Sequence, residues 1–321
     1  MSKAIVASEF GGPEVLVLTE VPEVAPGPGQ VRVKVAAIGV NFIEIYRRQG
    51  VYQVPLPNVP GEEFAGEVVA CGEGVNWLSV GDRVATAKGA GAYAEYVNVD
   101  ALQVVRVPDD VTDEQAAGVM LQGLTAHYLC NSVFPVQPGH TVVIHAGAGG
   151  VGLLLTQLCK LTGATVITTV STPEKAILSK GAGADHVLDY ADFNVKVREL
   201  TGGVGADVVF DGVGKSTFEQ SLLSLRKRGW MVLFGAASGL VPPFELHRLN
   251  GLGSLVVTRP GLWDFTETSE ELNWRTSDLF GLVGSGKLDV RIGGIFPLAA
   301  AGDAQEALAG RGTTGKLLIL P

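Results

Sequence analysis

Residues 141–152 read TVVIHAGAGGVG, an apolar β-type run that feeds directly into glycines at G-x-G-x-x-G spacing. The spacing predicts a dinucleotide site. Gly147 allows a tight turn off the strand, Gly149 allows backbone amides to approach a pyrophosphate, and Gly152 allows the following helix to pack close to the sheet. The positive end of that helix then faces the phosphates. The turn as a whole, Gly147, Ala148, Gly149, Gly150, Val151 and Gly152, is read as the phosphate cradle.

The flanking sequence supports this reading. Leu153 to Leu161 has helix-compatible apolar spacing and Thr165 to Val170 reads as a second strand, which completes a βαβ unit. An enzyme that uses NAD usually places Asp or Glu about twenty residues beyond the glycines, on the ribose 2′-hydroxyl. No acid lies between Gly152 and Glu174 here, and the second strand ends in Ser171-Thr172-Pro173-Glu174-Lys175. Thr172 is suited to cap a helix that begins at Pro173, with Lys175 in its first turn. A hydroxyl and an ammonium suit a 2′-phosphate, so the cofactor expected is NADPH rather than NADH.

At 321 residues and 46% hydrophobic, the chain is long enough for about two domains with substantial cores. Lys and Arg number 24 against 33 Asp and Glu, a net charge of −9 with no long basic run, so nucleic-acid binding is not expected. The start, MSKAIVASEF, lacks a signal-peptide core, and no apolar segment reaches membrane-spanning length. A cytoplasmic protein is the default expectation. Cys71, Cys130 and Cys159 form no C-x-x-C pair and do not cluster with histidine, which argues against both a disulfide scaffold and a zinc knuckle. Among the scattered histidines His145 stands apart, because it ends the strand that enters the glycine turn and could face either a ligand crevice or the core.

Up to about residue 110 the chain carries short β-type runs: Val31 to Val35, Phe64 to Ala70, Arg83 to Ala87, Tyr93 to Val99 and Gln103 to Val107. Pro26-Gly27-Pro28-Gly29, Val80-Gly81-Asp82 and Pro108-Asp109-Asp110 punctuate them, so a largely antiparallel β domain is expected. From Thr112 the period becomes helical. Strands are then expected at 141–146, 165–170, 185–189, 206–211, 230–234 and 254–258, with helices at 151–162, 173–182, 192–201 and 215–228 between the first five. This alternation predicts a doubly wound sheet of the Rossmann type. A further helix is expected over Glu270 to Val283. The last apolar run, Lys316 to Leu320, is too isolated to join that sheet and is expected to return to the first domain, leaving the dinucleotide domain inserted and a cleft between the two.

Several longer motifs identify a family. GGPEVL near the start, AIGVNFIEIYRRQGVY at 37–52, GDRV at 81–84, GAYAEY at 91–96, LQGLTA at 121–126, FDGVG at 210–214 and VTRP at 257–260 accompany the glycine turn. With them the chain resembles the zinc-independent quinone oxidoreductases of the medium-chain dehydrogenase/reductase superfamily over nearly its whole length. The resemblance implies an α/β architecture: a GroES-like β-rich catalytic domain (1–120 and 288–321) and an inserted Rossmann NADPH-binding domain (121–287). Zinc alcohol dehydrogenases of the same superfamily carry Cys where Asn41 stands and Gly-His-Glu where this chain has Gly61-Glu62-Glu63. A thiolate and an imidazole to hold the metal are therefore missing, and no metal is expected.

Carried over residue by residue, the resemblance places Asn41, Phe42 and Tyr46 near the nicotinamide, and Thr125 and Tyr128 on the helix that enters the second domain. The amides of Gly150 and Val151 would meet the pyrophosphate. Ser171, Lys175 and Tyr190 would surround the 2′-phosphate and adenosine ribose. Val213, the segment Phe234, Gly235, Ala236 and Ser238, the Arg259-Pro260 loop and Arg311 would complete the cofactor envelope. Related enoyl thioester reductases carry a catalytic tyrosine in a context like that of Tyr52, which is either a proton donor or a residue that lines the cleft. Tyr46 and Asn41 would position acceptor or nicotinamide.

The expected activity is NADPH-dependent reduction of quinones or similarly electron-poor carbonyl compounds. Reduction of an enone or enoyl thioester, and non-catalytic NADPH binding in a structural or regulatory role, remain alternatives. Whether electrons pass as hydride or singly stays open. Relatives pair the edge strands of two dinucleotide domains, so a homodimer through Ser254 to Thr258 is expected.

Overall fold

The computed structural model describes residues 1–321 and divides the chain into two units, Met1–Gln122 with Thr268–Pro321, and Gly123–Glu267. In the first unit β1 (Ser2–Val6) and β2 (Val17–Val21) form an antiparallel pair. A second sheet of seven strands contains β3 (Gln30–Gly39), β4 (Glu63–Cys71), β5 (Arg83–Thr86), β6 (Tyr96–Asp100), β7 (Val105–Arg106), β14 (Ile292–Pro297) and β15 (Lys316–Leu320). Its order is β14-β15-β3-β4-β5-β7, with β6 also paired to β3, and only the β14–β15 pair is parallel. The V-R-V-K-V alternation of β3 sends Val31, Val33 and Val35 to one face, where they pack with Val68, Val84, Val97, Leu317 and Ile319. The helices of this unit are α1 (Phe42–Arg48), the first part of α2 (Asp113–Tyr128), α8 (Ser269–Gly284) and α9 (Ala301–Ala309).

The second unit alternates strand and helix. It comprises β8 (Thr141–Ile144), α3 (Gly150–Leu161), β9 (Thr165–Thr169), α4 (Pro173–Gly181), β10 (His186–Leu188), α5 (Phe193–Leu200), β11 (Ala206–Asp211), α6 (Phe218–Ser224), β12 (Leu225–Leu233), α7 (Arg248–Gly251) and β13 (Val256–Thr258). The six strands are all parallel, in the order β10-β9-β8-β11-β12-β13. Strand order reverses between β8 and β11, so the turns after these strands, at Ala146 and Gly212, flank the switch point where such sheets bind ligands.

The expected doubly wound sheet is present, with two local corrections. The helix expected over 215–228 stops at Ser224, and the chain enters β12 at Leu225. Pairing with Ala206 and complete burial of Leu225 override the helical spacing there. The edge strand β13 is also shorter than expected, because Ser254 takes a left-handed φ of 56° and Leu255 turns into the core. As expected, the terminal strand β15 lies beside β3 in the first unit. Helix α8 groups with that unit too, and not with the dinucleotide domain expected over 121–287. Gly284 at its end lies so near Asp110 that a Cβ would sit 2.1 Å from Oδ2.

Candidate functional site

The glycine turn connects β8 to α3. Its left-handed residue is Ala146, at φ 53°, not Gly147 as the spacing suggested. Gly147 is required for close approach instead, since a Cβ there would lie 2.6 Å from Thr168 Cβ and 2.7 Å from Ser179 Oγ. A Cβ on Gly152 would come within 2.2 Å of the Ala146 carbonyl oxygen, so α3 starts hard against the turn. Gly149 is the N-cap of α3, no side chain caps it, and no acid stands in the first turn. The N-terminal amides at Gly150 and Val151 thus belong to a helix end suited to an anion.

At the end of β9, Thr172 caps α4 by accepting from the Lys175 amide at 3.3 Å, with Pro173 in the first helical position. Lys175 Nζ lies 3.5 Å from Ser171 Oγ, which gathers an ammonium and a hydroxyl at one spot. Tyr190 reaches the glycine turn itself, its hydroxyl accepting from the Ala146 amide at 3.1 Å. His145 points into the core and is not exposed.

On the other side of the switch point, the Ser238 amide and hydroxyl both donate to the Val213 carbonyl at 2.8 Å. Gly235 packs so closely on Gly212 that a Cβ would lie 2.5 Å from its oxygen, and the Phe234 ring covers Gly212. These contacts bring Val213, Phe234, Gly235, Ala236 and Ser238 together as one wall. Arg259 is exposed, with Nη1 3.5 Å from the Gly235 carbonyl, and Pro260 follows it. Thr125 and Tyr128 are buried on α2, where Tyr128 stacks on Phe265 with centroids 4.6 Å apart and planes within 6°. Burial pushes the Tyr128 phenol up; Asp264 adds to the shift and Arg259 opposes it.

In the first unit Phe42, Tyr46 and Tyr52 form an aromatic row. Tyr46 lies 6.3 Å from Phe42 and meets Tyr52 edge-on at 5.9 Å. Tyr52 is 43% exposed, the most open member of the row. Asn41 differs, because it is buried and its carboxamide is engaged at both ends. Nδ2 donates to Glu63 Oε2 at 2.8 Å, and Oδ1 accepts from Lys316 Nζ at 2.8 Å. The Lys316 ammonium also pairs directly with Glu63, whose second oxygen accepts from the Leu121 amide at 2.6 Å. The Asn41 amide donates to Glu44 at 2.7 Å, and Tyr93 donates to the same Glu44 oxygen at 2.9 Å. Burial raises the Glu44 carboxyl to about 7, against lowering by the Asn41 amide, Lys316 and Tyr93. Arg311 stands away from these groups in sequence, exposed and left-handed at φ 56°, at the end of α9.

Sequence reasoning missed Lys316 and Glu44. A lysine opening the run KLLIL was the one available signal, and it reads equally well as a solvated strand end. The positions that carry metal ligands in zinc dehydrogenases hold Asn41, Glu62 and Glu63. Glu62 is engaged by Arg47 at 2.5 Å and the Lys316 ammonium lies between Asn41 and Glu63, so this donor set does not fit zinc. No group of three or more His, Cys, Asp and Glu side chains could hold a metal ion.

Residues 27–109 match the alcohol dehydrogenase GroES-like domain, and residues 150–272 match the zinc-binding dehydrogenase domain. A quinone oxidoreductase from Pseudomonas aeruginosa is 46% identical over all of both chains. The chain belongs to the zinc-independent quinone oxidoreductase family. A 2-haloacrylate reductase from a Burkholderia species is 41% identical, over 100% of this chain and 99% of that one. Among solved structures, a mycobacterial protein complexed with NADPH superposes with a TM-score of 0.96 at 52% identity, over 99% of this chain and 100% of that one. In this chain the region matching the zinc-binding dehydrogenase domain lies largely in the parallel-sheet unit, and Asn41 and Glu63, at positions of the metal ligands, are joined by Lys316 instead.

Proposed function

We propose that this protein is an NADPH-dependent quinone oxidoreductase that reduces quinones or similar electron-poor carbonyl acceptors without a metal. The observation that carries this reading is the full-length identity of 46% to a quinone oxidoreductase. The geometry supports the cofactor: the glycine turn provides close backbone approach and an uncapped helix end, and Lys175 beside Ser171 supplies charge for a 2′-phosphate.

Bound NADPH supplies the reducing equivalents, and the chain supplies binding and orientation. The amides from Gly147 to Gly152 would hold the pyrophosphate. Ser171, Lys175 and Tyr190 would hold the adenosine ribose and its phosphate. Thr125, Tyr128, Val213, Phe234, Gly235, Ala236, Ser238, Arg259, Pro260 and Arg311 would enclose the rest, with Asn41, Phe42 and Tyr46 at the nicotinamide end. The fixed Asn41 carboxamide would act chiefly by ordering the start of α1, which carries Phe42 and Tyr46. Tyr52, the exposed member of the aromatic row, would donate a proton to the reduced acceptor.

The identity to a 2-haloacrylate reductase favours a second reading, reduction of an activated carbon–carbon double bond, for which a donor at Tyr52 matters more. We further propose a homodimer formed through the edge strand β13, and a cytoplasmic location. No helix is long and apolar enough to cross a membrane.

The test follows NADPH and NADH oxidation with a benzoquinone, a naphthoquinone, an enone and an enoyl thioester. Quinone turnover with NADPH preferred is the expected result. Turnover confined to the enone or thioester would replace it with the second reading, and tight NADPH binding without turnover would overturn both.

A further inference from the structure

Beneath the glycine turn lies a fully buried polar chain that the binding residues do not account for. His145 Nδ1 is 2.7 Å from Thr169 Oγ1 and its Nε2 is 2.8 Å from Ser221 Oγ. Ser221 Oγ is in turn 3.1 Å from Asp211 Oδ2, which also accepts from Thr217 Oγ1 at 2.7 Å. The other Asp211 oxygen accepts from the amides of Val213 at 2.8 Å and Gly214 at 2.9 Å. Asp211 thus pins the turn after β11, and Thr169 ends β9, where its carbonyl accepts from the Gly147 amide at 3.0 Å.

One proton arrangement satisfies every member. With hydrogen on Nε2, the Thr169 hydroxyl donates to Nδ1, His145 donates to Ser221, and the Ser221 hydroxyl is free to donate to Asp211, with the Thr217 carbonyl, which already accepts from the Ser221 amide, as a second acceptor at 2.9 Å. With hydrogen on Nδ1 instead, Ser221 must donate to Nε2, which leaves its oxygen facing the Asp211 carboxylate with no proton between them, at a cost that burial magnifies. Burial also keeps the imidazole neutral, lowering its pKa against the pull of Asp211, the charged group nearest it; Phe193 packs edge-on at 4.7 Å and Tyr190 lies at 6.1 Å on the ring's other contacts.

We infer that His145, held as the Nε2–H tautomer, is a positioning residue for NADPH: it struts the glycine turn after β8 and the Val213–Gly214 turn after β11 at the separation a dinucleotide requires. This rests on the proposal that NADPH binds across these turns. It adds a role for a histidine that contacts no ligand itself.

The test compares His145→Leu, which removes both hydrogen bonds, with His145→Gln, which keeps a donor toward Ser221. NADPH binding is read by calorimetry, alongside adenosine 2′,5′-bisphosphate, a fragment that does not span the two turns. The leucine variant should weaken NADPH about tenfold, the loss of a buried hydrogen-bonded link, while holding the fragment within about twofold; glutamine should recover part of the loss. Nitrogen-15 NMR of the wild-type imidazole should show protonation at Nε2 alone at neutral pH. Unchanged NADPH affinity in the leucine variant, equal weakening of both ligands, or an Nδ1–H or charged imidazole would overturn the inference. Should the leucine variant not fold, the glutamine variant and the wild-type NMR decide. Failure of the wild type to bind NADPH would instead remove the underlying site assignment.

Discussion

Lys316 and Asn41, 275 positions apart in sequence, meet in the first unit, where the lysine ammonium donates to the Asn41 carboxamide oxygen at 2.8 Å and pairs with Glu63. All three side chains are buried, so the charges depend on one another. Replacing Lys316 by Met strands the Glu63 carboxylate and is expected to cost about 3–5 kcal/mol in urea unfolding. Adding Glu63→Gln should recover part of that loss. Equal stability of the single variant and the wild type would show that the pair is not the buried ion pair described.

Lys175→Ala tests the cofactor choice. The KM for NADPH should rise about tenfold or more, equivalent to ~1.4 kcal/mol, with the KM for NADH nearly unchanged, since only NADPH carries the phosphate. Parallel loss with both cofactors would show that Lys175 serves the fold of α4 rather than the phosphate.

Tyr52→Phe separates the two acceptor chemistries. Enone turnover should fall at least about tenfold, because protonation at carbon needs a donor, while quinone turnover changes less than about threefold because the reduced quinone oxyanion is comparatively stable. Enone turnover that survives the substitution excludes Tyr52 as the donor.

The buried Glu44 carboxyl sets a pH dependence of stability. Its folded pKa, about 7, lies above the ordinary carboxyl value of 4.5, so between these values the folded state binds more protons than the unfolded. The contribution is therefore fully present below about 4.5 and is lost as pH rises through about 7, by up to ~3 kcal/mol. Lys316, Tyr93 and Glu63 face the same carboxyl. Glu44→Gln retains an oxygen for the Asn41 amide and the Tyr93 hydroxyl and should flatten the profile between pH 5 and 7, as read by denaturant midpoints, by about the same amount. A wild-type midpoint that climbs across that interval because of Glu44 would contradict the raised pKa.

Strand β13 pairs only with β12, and Val256, Val257 and Thr258 are all half-buried. Val256→Lys should convert the proposed homodimer to a monomer on gel filtration, because a charge on an edge strand opposes strand pairing. A dimer that persists would place the interface elsewhere.

The βαβ order and the phosphate turn were legible because they depend on near neighbours. Apolar period, glycine spacing and the Thr172-Pro173 start of α4 are local signals, and the structure carries each where the sequence reads it. Even there, the left-handed residue proved to be Ala146 and the need for Gly147 proved to be contact with Thr168 and Ser179, because close approach between segments leaves no mark at the glycine itself. The run 215–228 shows the same limit, since its helical spacing yielded at Leu225 to pairing with a strand already in place.

The sequence by itself determined the two-part α/β organisation and the glycine turn, both of which follow from residue type and short-range spacing, while the absence of the zinc ligands was legible only through the family resemblance. Only the tertiary structure decided that Lys316 stands against Asn41 and Glu63, that Glu44 is buried with Tyr93, and that His145 joins Thr169 to Ser221 and Asp211. The physical reason is that a buried charge or imidazole is defined by partners that satisfy it, and here those partners arrive from distant strands and helices through the sheet order, which no local pattern encodes.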